Sequence, residues 1–264
     1  MPPLWLWPNL LSLDAPLIAV LWQDLLAWRY QVPLHPPARI ALFLTVWAIY
    51  IADRVLDARR PPTAFEPARH RFYRRHRRFA VALLGVLLAA TGAIAALWLR
   101  PAVLRNGLVP LAAVAVYLAA VHLGGGSRQV AKEWVVAFVF TTGTFLAAWT
   151  NDAASPLTLL APAAAFFVLC LGNLAAIEKW EWEELRHGAE PAHPATRALV
   201  RTLRWWLPVF AAAALARARD PWYLAIGLAA AAIAALVYAG RRIAPETRRV
   251  LVDAALLTPL MFLR

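Results

Sequence analysis

The sequence predicts an all-α, polytopic membrane helix bundle of about nine transmembrane helices, forming a single integral membrane domain over residues 1–264. Three observations carry that expectation. The chain is 62% hydrophobic with a mean hydropathy of +0.57, whereas a soluble domain is closer to half apolar. Five segments contain no Asp, Glu, Lys or Arg and are long enough to cross a bilayer: 79–99, 106–126, 134–151, 153–177 and 221–240. Lys and Arg are crowded into alternate loops.

Four weaker segments complete the set. The first, Leu10–Trp28, carries Asp14, Gln23 and Asp24 at unusual depth. Either these residues line a cavity or the helix starts later. The second, Ala38–Asp57, ends in Asp53-Arg54-Val55-Leu56-Asp57 and is stopped by Pro61-Pro62, which cannot continue the backbone ladder. The seventh, Leu199–Ala216, opens with Arg201 and Arg204. The ninth, Val250–Leu263, is short and carries Asp253. Gly124-Gly125-Gly126 breaks the fourth span and permits a tight turn before Arg128. The sixth span, Ala153–Ile177, ends in Glu178-Lys179-Trp180-Glu181-Trp182-Glu183-Glu184. Abundant Ala suits close helix packing in lipid.

Counting Lys and Arg sets an expected orientation. The loops after spans two, four, six and eight hold eight, two, three and four, 17 together, against 6 in the odd-numbered loops. The even loops are expected to be cytoplasmic, with the N-terminus inside, as in a bacterial inner membrane. The start of the chain lacks the basic residues of a secretory signal, so the first span is read as permanent. A net charge of +12 in such a chain points to this bias and to an anionic ligand rather than to nucleic acid. The single cysteine, Cys170, excludes an internal disulfide and reads as a small apolar residue.

Both acidic stretches fall on the expected cytoplasmic face. Asp53 and Asp57 are four apart and share a helical face, with Arg54 offset by about 100°. In the second stretch Asn173, Glu181 and Glu184 lie near one face and Glu178 to one side, and spacing leaves open which of them turn inward. Carboxylates at a membrane edge need a compensator. Mg²⁺ takes oxygen ligands and is held by one or two carboxylates together with substrate phosphates. Helix-end ion pairs are the simpler alternative. The run Arg69–Arg78 can bind lipid headgroups, set orientation, or grip a diphosphate, with His70 and His76 read as part of its charged face. Lys132-Glu133 is either a membrane-edge pair or places Lys132 over the pocket. Trp180 and Trp182 read as interfacial residues.

With these residues in place, the chain resembles the UbiA superfamily of intramembrane prenyltransferases. Asp53-Arg54-Val55-Leu56-Asp57 is similar to the close of that family's first Asp-rich motif. Lys132-Glu133-Trp134 with Phe140-Thr141-Thr142-Gly143-Thr144 is similar to its fifth-helix stretch. Where the family has a leading Asn-Asp this chain has Ile49-Tyr50. Set beside the second motif, Trp180 falls at the first acid and Glu184 at the last. The resemblance implies a nine-helix fold that moves an isoprenyl group from a Mg²⁺-bound diphosphate to an aromatic or lipid acceptor. It further implies catalytic roles for Asp53, Asp57 and Glu181. Metal ligands would come from Asp53, Asp57, Glu178, Glu181 and Glu184. Arg54, Arg128, Lys132, Lys179 and Asn173 would bind substrate. The alternative is a non-enzymatic binder or carrier of an isoprenoid lipid on the same scaffold.

Overall fold

The computed structural model describes residues 3–59, 68–123, 131–151, 155–184 and 193–263. These are α-helical, with short 3₁₀ segments and no strand among the described residues. The helices are α1 (Trp7–Leu10), α2 (Asp14–Tyr30), α3 (Pro36–Asp57), α4 (Ala68–Arg75), α5 (Arg77–Trp98), α6 (Pro101–Leu123), α7 (Lys132–Trp149), α8 (Pro156–Glu184), α9 (Pro194–Leu215), α10 (Pro221–Ala239) and α11 (Pro245–Ala254). Proline opens α3, α9, α10 and α11, where its missing N–H is already an orphan of the first turn.

Five helices are long and apolar enough to cross a membrane: α5, α6, α8, α9 and α10. Helix α2 begins at Asp14, four residues later than the sequence suggests, so that Asp14 occupies the helix start rather than its interior. The segment expected as a ninth span takes in the second half of the ten-residue α11 and continues as 3₁₀ helix over Ala255–Met261 around Pro259. Pro61-Pro62, Gly124–Gly126 and Arg128 lie outside the described residues.

Neighbouring pairs are α9 with α10, α3 with α5, α7 with α8 and α2 with α3. The core lies between α2, α7, α8, α9 and α10, around the rings of Trp22, Phe145, Phe166 and Trp222. Trp22 stacks 4.8 Å from Phe166 and meets Trp222 edge-on at 5.2 Å. Both indoles are satisfied: Trp22 Nε1 donates to Leu256 O at 2.9 Å and Trp222 Nε1 to Pro162 O at 3.2 Å. At one end of the bundle Arg29 holds Asp220 bidentately at 2.9 and 3.0 Å, and Asp220 also caps α10 through Trp222 N. In lipid a buried polar atom needs such a partner.

Burial separates the helices into two groups. Within their apolar stretches, 56% of residues are buried in α8 and in α10, but only 11% in α5 and in α6. An 11% buried apolar helix is unfavourable in water and suited to hydrocarbon. Helices α5 and α6 therefore form a lipid-facing flank, with α3 and α7 between them and the core.

Candidate functional site: a polar cavity joined to an apolar chamber

The ends of α3 and α8 converge. Asp53, Arg54 and Asp57 from α3, and Asn173, Glu178 and Glu181 from α8, line one cavity of about 360 Å³. On α8 the lining residues are Cys170, Asn173, Leu174, Ile177, Glu178 and Glu181, which is the spacing of a single helical face. Lys132 and Glu133 enter from α7, Tyr117 from α6, Asp14 from α2 and Asp253 from α11. Arg69 and His70 of α4 close the ring.

Helix α4 is held across this cavity by contacts from both of its ends. Ala68 N donates to Glu246 Oε1 at 3.0 Å, tying it to α11. The Tyr73 hydroxyl lies 3.3 Å from Ser12 Oγ, tying it to the N-terminal segment. Arg69 Nη2 then reaches Glu181 Oε1 at 3.1 Å. Burial, reinforced by the nearby Arg54 and Arg69 guanidiniums, pushes the His70 imidazole down to about 3, so it is neutral at ordinary pH. His70 thus belongs to the cavity wall and not to a solvated charged face.

Several carboxylates are already compensated by basic side chains. Lys132 Nζ lies 2.8 Å from Glu178 Oε2 and 3.9 Å from Glu133 Oε1. Glu133 Oε2 instead accepts a hydrogen bond from the Thr196 hydroxyl. Arg54 Nη1 lies between Asp53 Oδ2 at 3.4 Å and Asp57 Oδ2 at 3.5 Å. Its 100° offset is bridged by the length of the side chain, so Arg54 shares the face of the two aspartates rather than pointing elsewhere.

One group of ligand atoms has the arrangement of a cation site. His122 Nε2, on α6, is 3.3 Å from Asp53 Oδ1. One ligand atom each from Asp53, Asp57 and His122 fit within 4.8 Å of one another. Two carboxylates suit a hard divalent cation such as Mg²⁺ or Mn²⁺, and the imidazole would favour the softer of the two. Glu178 and Glu181 line the cavity but engage Lys132 and Arg69.

Two expected site residues face elsewhere. Glu184 is drawn out by α11: Arg248 Nη2 is 2.8 Å from Oε1 and Arg249 Nη2 3.0 Å from Oε2. Lys179 is half a turn from the cavity face of α8 and pairs with Glu183. Asn173 lines the cavity, donating to Val252 O at 3.1 Å and to Asp253 Oδ1 at 3.3 Å. Asn9 makes a similar bridge, donating to Asp14 Oδ2 at 2.7 Å. Trp180 is 1% exposed beneath the Arg248 guanidinium, which lies 5.3 Å from the ring centroid. It is a core residue, not an interfacial one.

A second space adjoins the cavity. A chamber of about 220 Å³ runs between α3, α5, α6 and α7. Its wall is almost entirely apolar, with Leu42, Val46, Leu104, Leu111, Val139 and Leu146 among its members. Ile49, Tyr50, Tyr117, Val136 and Phe140 line both spaces.

His122 carries a signal that spacing arguments on acids overlook. It is the lone titratable group besides Tyr117 in the fourth apolar stretch, two residues before the glycine triplet. Comparison with protein-family models, with curated proteins and with solved structures finds no match to this chain.

Proposed function

We propose that the chain binds an amphiphile with an anionic diphosphate head and an isoprenyl tail, and that it transfers the isoprenyl group to a hydrophobic aromatic or lipid acceptor. The observation that supports this reading is the adjacency of a charged cavity and an apolar chamber, which share five lining residues. A head and a tail of opposite polarity fit that pair of spaces, and ligand sites of this size use few polar groups to fix orientation. The UbiA-like nine-helix arrangement belongs to the same proposal. So does a cytoplasmic site in a bacterial inner membrane.

Asp53, Asp57 and His122 would hold Mg²⁺ or a similar divalent cation, whose chemistry is to neutralise charge on a departing diphosphate. Arg54, Lys132 and Arg69 supply additional positive charge at the cavity. Transfer breaks the C1–O bond of the isoprenyl diphosphate, and the bonding electron pair leaves with the diphosphate. The acceptor forms the new bond to C1 and gives up a proton. Closure of the site around bound substrate would exclude water that otherwise captures an allylic cation.

A second reading is a non-enzymatic isoprenoid binder or carrier. The ion pairs favour it, since Glu178 and Glu181 each already hold a cation of the protein. The test is thermal stabilisation of purified protein by an isoprenyl diphosphate with and without Mg²⁺, repeated with Asp57→Asn, alongside a transfer assay with aromatic and lipid acceptors. A Mg²⁺-dependent shift, lost in the variant and accompanied by turnover, supports transfer. A shift without turnover supports the carrier. No shift in either protein overturns transfer and favours a carrier of an isoprenoid lipid without a diphosphate head.

A further inference from the structure

Two polar side chains in the wall of the apolar chamber, Gln23 and Thr91, lack a partner among the described residues. Gln23 of α2 is 2% exposed, and its Oε1 has no hydrogen-bond partner among the described residues. It lines the chamber, whose wall is otherwise nearly all hydrocarbon. Thr91 Oγ1, in the same wall, is likewise buried without a partner among the described residues. A buried carboxamide with an unmet acceptor is costly in protein interiors and more so in a membrane. Native structures retain such groups where something else completes them.

Water is a poor candidate for completion. A buried water needs two to four polar partners, and apart from Tyr50 and Tyr117, which border the polar cavity, this wall presents little beyond Gln23, Thr45 and Thr91. A group carried on the ligand meets the need better, because the chain that fills the chamber brings it there. Gln23 is nine residues beyond Asp14 on α2, about 14 Å deeper along the helix axis at ~1.5 Å per residue. Asp14 itself lines the polar cavity.

We infer that Gln23 is a specificity residue for a tail that carries a hydrogen-bonding group, such as a hydroxyl, part-way along its length. The inference rests on the amphiphile reading above and narrows it. The chamber selects an oxygenated hydrocarbon chain over a plain one. An acceptor at Oε1 and a donor at Nε2 can satisfy a hydroxyl in both of its roles.

The test uses the full chain in detergent or nanodiscs, with decyl phosphate and 10-hydroxydecyl phosphate as probes, on wild type and Gln23→Leu. A hydroxyl buried against an apolar wall weakens binding, whereas one met by a carboxamide does not. Wild type is expected to bind the hydroxylated probe at least as tightly as the plain one. Gln23→Leu is expected to retain decyl phosphate and to bind the hydroxylated probe roughly tenfold more weakly, the size of one ordinary hydrogen bond. If wild type itself prefers decyl phosphate by that margin, the inference is overturned while the amphiphile site stands. If neither probe binds wild type while an isoprenyl diphosphate with Mg²⁺ stabilises it, the inference fails and the amphiphile reading stands; if the isoprenyl diphosphate is not bound either, both fail. The wild-type comparison alone decides the matter should the variant fold poorly.

Discussion

Lys132 bypasses the glutamate beside it and reaches across to another helix. Its ammonium is 2.8 Å from Glu178 of α8 and 3.9 Å from its sequence neighbour Glu133. The contact ties the start of α7 to the end of α8 at the polar cavity. Glu178 retains only 17% side-chain exposure, so removing its partner leaves a largely desolvated carboxylate. Lys132→Met is expected to destabilise the protein by about 1–3 kcal/mol, read as a lower melting temperature in detergent. The double variant Lys132→Met/Glu178→Gln should recover part of the loss, because it removes the orphaned charge as well.

Mutation separates the proposed cation site from the structural acids. Asp53, Asp57 and His122 form the compact ligand group, while Glu184 is occupied by Arg248 and Arg249. Mg²⁺ or Mn²⁺ is therefore expected to raise the melting temperature of wild type and of Glu184→Gln by similar amounts, although Glu184→Gln starts lower. Asp57→Asn should abolish the increment. His122→Ala should reduce the Mn²⁺ response more than the Mg²⁺ response, since imidazole favours the softer ion. An unchanged metal response in Asp57→Asn would place the ion elsewhere.

Much of this arrangement is readable from the chain and some of it is not. The apolar stretches and the two acidic tips are properties of local sequence, and both tips do line one cavity. The partner of each acid depends on tertiary placement. Glu184 has the angular position of a cavity residue, yet α11, some sixty residues later, supplies two arginines that hold it away. Arg54 has the wrong angular offset, yet a long flexible side chain returns it to its neighbours. Gln23 looks like an isolated polar residue in a span until α3, α5, α6 and α7 enclose a chamber beside it.

Helix α4 gives a pH dependence with a definite sign. Burial and the nearby Arg54 and Arg69 lower the folded-state His70 value to about 3 from 6.5, against smaller opposing contributions from Glu181 and Asp53. Between those two values the unfolded chain binds a proton that the folded chain does not, so stability falls as pH drops below about 6.5. His70→Gln removes this proton difference. Its melting temperature is expected to fall less than that of wild type between pH 7.5 and 5. Parallel profiles for the two proteins would remove His70 as the titrating group.

Close approach of α9 and α10 supplies a last prediction, independent of any ligand. A Cβ at Gly227 would stand 2.7 Å from Leu215 Cγ and Cδ2 and 3.0 Å from Leu215 N, whereas one at Gly85 would meet nothing within 4 Å. The Leu215 side chain can rotate, but its backbone nitrogen cannot move without shifting the end of α9. Gly227→Ala is therefore expected to destabilise by about 1–3 kcal/mol through overpacking. Gly85→Ala, on the lipid-facing α5, should be neutral or stabilising by up to ~1 kcal/mol through helix propensity. Melting temperatures of the two variants in the same detergent check this. Equal effects would mean that the α9–α10 contact is looser than its geometry indicates.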